Sequence, residues 1–85
     1  MARQIIRSAT SVGANYRAAC RAKSTADMIA KLAIVEEEAD ETMYWLELLV
    51  AQNSVNKSEV QALLEETETI LKMVVASIRT LKIKL

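Results

Sequence analysis

Apolar residues recur in alternating steps of four and three along three successive stretches of this sequence. That rhythm restricts the chain to amphipathic helices packed along their lengths. In the middle stretch Met28, Leu32, Val35, Ala39, Thr42, Leu46 and Leu49 follow it, and in the last Val60, Leu64, Thr67, Leu71, Val74, Ile78 and Leu81. The first stretch repeats it in Ile5, Ala9, Val12, Tyr16 and Ala19, with Ile6, Gly13 and Cys20 spaced by sevens on the flank. Composition agrees, since the 85 residues include no Pro and one Gly and are 52% hydrophobic. Gly13 reads as a place where another helix approaches closely. The four Met read as core filling. Cys20, on the apolar side, reads as a buried, inert thiol.

Two polar breaks divide the stretches. At Lys23-Ser24-Thr25, Ser24 is placed to cap the following helix, with Asp27 completing a capping-box-like pair. Across 52–57, Asn56 and Glu59 stand in the same relation. The spacing predicts helices over 2–22, 25–51 and 57–83. Short connections make neighbouring helices antiparallel. The expected fold is all-α: one domain over 1–85, an antiparallel up-down helical bundle with three helices in this chain, four-helix-bundle-like.

The same residues exclude much chemistry. There is no His, which removes zinc triads, His general bases and the Glu-x-x-His sites of di-iron bundles. The hydroxyls of Ser8, Thr10 and Ser11 have no activating base in view. The acidic run 36–41 offers only i, i+4 pairs, Glu37 with Glu41 and Glu36 with Asp40, too few ligands for a metal without a second helix adding more. The expectation is a non-enzyme with no metal, cofactor or small-molecule substrate. One Cys cannot close an intramolecular disulfide, and no run of about 18 apolar residues is free of charge. With no signal-peptide pattern at the N-terminus, the expected setting is cytoplasmic, without a membrane partner.

Eleven bases and eleven acids cancel to a formal charge of 0, but they are segregated. Residues 1–23 carry Arg3, Arg7, Arg17, Arg21 and Lys23 with no acid, +5; residues 24–56 carry Lys31 against seven acids, −6; the remainder is +1. On a helical wheel the four Arg fall within ~80° of one another, opposite the apolar face. Guanidinium groups in one stripe suit phosphate oxygens, so Arg3, Arg7, Arg17, Arg21 and Lys23 are the candidate nucleic-acid-binding residues. The alternative is that the stripe forms salt bridges with carboxylates, leaving a protein–protein interaction or structural oligomerisation module that binds no nucleic acid.

The middle helix also has a second apolar face, on which Ile34, Trp45 and Leu48 cluster opposite its seam. Three helices supply one core, so these residues are the candidate interface for a fourth helix or another copy of the chain. A chain this short has a small core, and homo-oligomerisation is the physical expectation.

The stretch Arg7-Ser8-Ala9-Thr10-Ser11-Val12-Gly13-Ala14-Asn15-Tyr16, then Ala30-Lys31-Leu32, then 37–49 from Glu37-Glu38-Ala39 through Tyr44-Trp45-Leu46, resembles the bacterial four-helix bundle family. This family is also described as the 23S ribosomal RNA intervening-sequence proteins, or S23-like. The resemblance covers about residues 3–52 closely and the third helix by pattern. It implies an antiparallel bundle, assembly as a homopentamer, and a link to RNA or DNA, with no catalytic residues to carry over. It also implies a further helix ahead of the first one here. The Ile34/Trp45/Leu48 face is then the expected seat of that helix, supplied from upstream of Met1 or by another chain.

Overall fold

A computed structural model describes residues 1–52 and 56–84, so part of the second break, 53–55, lies outside the described residues. Its elements are α1 (Ala2–Cys20), α2 (Thr25–Ala51) and α3 (Lys57–Lys84). The all-α, antiparallel helical-bundle expectation holds.

Local chemistry sets the helix ends. Ser24 takes an extended backbone, φ −154° and ψ 164°, and its hydroxyl accepts the Asp27 N–H at 3.0 Å. The Asp27 carboxylate reaches back to the N–H of Lys23, at 3.4 Å, one residue before its place in a regular capping box. Asn56 Oδ1 accepts the N–H groups of Ser58 at 3.0 Å and Glu59 at 3.3 Å, satisfying two of the free donors that begin α3. α1 stops at Cys20, two residues before the expected end. The N–H groups of Arg21 and Ala22 turn to the carbonyls of Ala18 and Ala19, both at 3.1 Å, tightening the last turn so that the chain can reverse into the Ser24 cap. α3 places Glu59 in its first turn and Lys82 and Lys84 in its last, matching the helix dipole at both ends.

The helix α2 is the spine. Ala19 of α1, Leu32 and Val35 of α2, and Val74 and Ile78 of α3 form the buried core, with Val12, Met28, Ile29 and Leu81 packed against it. Ala39, Leu46 and Val60 are buried as well. Nearly all of these residues belong to the four-and-three series of the sequence.

The backbones of the outer helices do not approach closely. Both run antiparallel to α2 and hence parallel to each other, and no described Cα of α1 lies within 8 Å of α3. The Cα envelope measures 45 × 21 × 14 Å, an elongated three-helix bundle flattened across its width. One long side of the core is therefore open.

Candidate nucleic-acid interface and an open apolar groove

The five candidate cations of α1 and its C-terminal turn separate into two sets. Arg7 turns toward α2, where Nη1 donates to Glu38 Oε2 at 3.3 Å and Nη2 donates to Glu41 Oε2. The other oxygen of Glu41, Oε1, accepts the indole N–H of Trp45 at 3.4 Å. The Arg7 hydrogen bond, then that of Trp45, holds the Glu41 carboxyl below the ordinary carboxylate range, and the same contact raises Arg7. Arg7 is thus a clasp between α1 and α2. Arg3, Arg17, Arg21 and Lys23 are exposed and make no ion pair among the described residues.

Beside the clasp lies a buried polar pair. Thr42 Oγ1 sits 2.8 Å from Ser8 Oγ and 2.8 Å from the Glu38 carbonyl, and Ser8 Oγ lies 3.3 Å from the Ile5 carbonyl. Two hydroxyl protons can fill two of these three contacts at a time, so each hydroxyl still has a partner in a place where an unpaired one is costly. Ser8 is fully buried, its hydroxyl against that of Thr42. It is a packing residue.

The acidic run does not converge. Glu38 and Glu41 face Arg7, whereas Glu36, Glu37 and Asp40 border a shallow depression with Ala33, Leu71 and Val75. Among the described residues no three carboxylates gather around a point that could hold an ion.

Of the expected interface residues on α2, Ile34 is 37% exposed, while Trp45 and Leu48 are half-buried. A second open apolar surface lies between α1 and α3. There Val12, Gly13 and Tyr16 face Ile70, Met73 and Ser77 across a groove of about 350 Å³, floored by Leu32 and Val74. Tyr16 is 46% exposed and Met73 57%, although both are bulky apolar residues on the inner side. Four expectations change with it. Met73 borders the groove instead of filling the core. Tyr16 borders the groove instead of sitting in the core. A Cβ on Gly13 would meet nothing within 4 Å, so no helix of this chain approaches it. Cys20, on the same flank, is exposed, because α3 does not close over that side of α1.

The groove was detectable in the sequence as a second series. Glu59, Leu63, Glu66, Ile70, Met73, Ser77, Thr80 and Lys84 also step by alternating fours and threes, one position ahead of the α3 seam. The polar members mask it.

An all-helical layer with a basic edge, and with no assembled catalytic or metal-binding group among its described residues, belongs to the class of helical-bundle proteins. The match to known proteins is more particular. The family described as 23S rRNA-intervening sequence protein matches residues 1–76, and the chain belongs to that family. Among solved structures, the chain is similar to a protein of unknown function from the S23 ribosomal protein family of Bacteroides thetaiotaomicron VPI-5482. The two are 42% identical with a TM-score of 0.86, over 89% of this chain and 70% of that one. No curated protein matches. No described helix is long and apolar enough to cross a membrane.

Proposed function

We propose that this chain is a non-enzymatic, self-associating helical module that binds RNA or DNA along the basic edge of α1. The observation that carries this is the division of the cations. Arg7 is neutralised within the fold, whereas Arg3, Arg17, Arg21 and Lys23 stand exposed without a carboxylate among the described residues. Exposed guanidinium groups on one helix match phosphate oxygens by charge and by fork geometry. The family's description, which refers to 23S rRNA, supports a structured RNA as the first probe. Self-association rests on the apolar groove, which a copy of the chain can close, and a cytoplasmic setting suits a lone exposed thiol.

The test is fluorescence anisotropy with a labelled ribosomal RNA hairpin at low salt. Replacing Arg3, Arg17, Arg21 and Lys23 together by Ala is expected to abolish binding, while Arg7→Ala leaves most of it. Undetectable binding by the wild-type protein, or undiminished binding by the fourfold variant, overturns the nucleic-acid assignment.

A second function is favoured by the groove itself: a protein–protein interaction or structural oligomerisation module with no nucleic-acid role. In that case the fourfold variant leaves the assembly and every partner contact intact, and no RNA binds at any salt concentration. The Ile34, Trp45 and Leu48 face, half covered as it is, would then be a secondary contact.

A further inference from the structure

Charge is sorted along the length of the molecule as well as between its helices. Because α1 and α3 both run antiparallel to α2, their C-terminal ends lie at the same end of the bundle, beside the turn that joins α1 to α2. The packing sets the level. Ala19, Met28, Ile29, Ile78 and Leu81 share one region of the core, and Tyr16, Leu32 and Val74 line the groove next to it. From that level to the end of the bundle, residues 16–32 and 74–84 carry seven bases against one acid, Asp27, a net +6. The remaining residues carry four bases against ten acids, a net −6. The formal zero is therefore an axial dipole with a basic pole.

Three helices build this pole. Arg17, Arg21 and Lys23 come from α1 and its turn and Lys31 from α2, while Arg79, Lys82 and Lys84 come from α3, where no acid follows Glu68. The α3 cations are exposed and make no ion pair among the described residues. The helix dipole accounts for Lys82 and Lys84 in the last turn, but not for Arg79 outside it, nor for the scarcity of acids on the neighbouring helices at this level. Gathered like charges repel one another and concentrate a field that draws in a polyanion. With α1 and α3 flanking α2, the pole is at most two interaxial spacings wide, about 16–20 Å, which spans several phosphates of one nucleic acid. Tyr44 and Trp45, the aromatic pair suited to stacking bases, lie in the acidic half. Contact at the pole is thus to the backbone.

We infer that the nucleic-acid surface continues from the edge of α1 across this end of the bundle, where Arg79, Lys82 and Lys84 of α3 take phosphates of a structured RNA together with Arg17, Arg21 and Lys23. This rests on the nucleic-acid binding proposed above and extends its site to a third helix. Such contacts hold and orient the RNA without reading its sequence.

Anisotropy titrations of the same ribosomal RNA hairpin over a series of salt concentrations test it, with circular dichroism confirming the fold of each variant. Combining Arg79→Ala, Lys82→Ala and Lys84→Ala is expected to weaken binding about a hundredfold at low salt and to lower the steepness of log affinity against log salt by about 2–3. The charge-keeping combination R79K/K82R/K84R is expected to preserve the slope, and Lys57→Ala, in the acidic half at the other end of α3, to change neither quantity. An undiminished slope in the triple Ala variant, or an equal loss per residue in Lys57→Ala, overturns the assignment of α3 and leaves the α1 edge standing. Weaker binding with an unchanged slope marks a structural effect of the substitutions and overturns it as well. No binding by the wild-type protein at low salt overturns edge and pole together.

Discussion

At the scale of single residues, the join between α1 and α2 depends on two polar contacts of different kinds. The Ser8–Thr42 contact is buried, so removing one hydroxyl leaves the other with only a carbonyl of its own helix. Thr42→Val is expected to cost about 1–3 kcal/mol in urea unfolding, and the double variant S8A/T42V less than the sum of its parts. Strict additivity would mean that the hydroxyls do not depend on each other. The Arg7 clasp is exposed and titrates instead. Glu41 is held below its unfolded value, so its contribution is complete above the ordinary carboxylate range and fades as the pH falls through the lowered folded value. Trp45 donates to the same carboxylate and reports on it. The acid transition of Trp45 fluorescence is expected to move to higher pH in Arg7→Gln; an unmoved midpoint would mean that Arg7 does not hold Glu41. The sequence placed Arg7 on the correct stripe, but not its partners, because a helical wheel gives an azimuth and not the neighbour it meets. Cys20 was misread for the same reason: an apolar flank is buried only if something packs on it.

At the scale of elements, periodicity was a good guide. All three helices, the Ser24 and Asn56 caps and most core positions follow from four-and-three steps and polar breaks, since these reflect local geometry. Replacing Ser24 by Ala is expected to cost about 1 kcal/mol of stability, and a change within a few tenths would show that the cap is dispensable. Gly13 makes the opposite case. With open space around its Cα, Gly13→Ala is expected to stabilise the dilute single chain by about 0.5–1 kcal/mol through helix propensity. A loss under those conditions would place another helix against it within one chain. Less legible was which helices would stay apart. The seam of each outer helix identifies the side facing α2, but two helices that share one neighbour need not touch. An open side therefore fell between α1 and α3 as well, apart from the face of α2 where Ile34, Trp45 and Leu48 cluster.

At the scale of the whole molecule, a formal charge of 0 conceals a basic helix, an acidic spine and a third helix whose charge changes sign along its length. Part of that segregation is used internally, where Arg7 meets Glu38 and Glu41. The rest leaves one edge positive and, among the described residues, unpaired, which sequence order indicated and net charge hid. Membership of the 23S rRNA-intervening sequence protein family agrees with the fold and leaves the chemistry to the surface residues.

The salt dependence of RNA binding measures the division of the cations directly. On a plot of log affinity against log salt concentration for the RNA hairpin, replacing Arg3, Arg17, Arg21 or Lys23 singly is expected to reduce the steepness by about 0.7–0.9, and Arg7→Ala to leave it unchanged. A binding affinity independent of salt, or a slope that counts Arg7 equally with the other four, would contradict it.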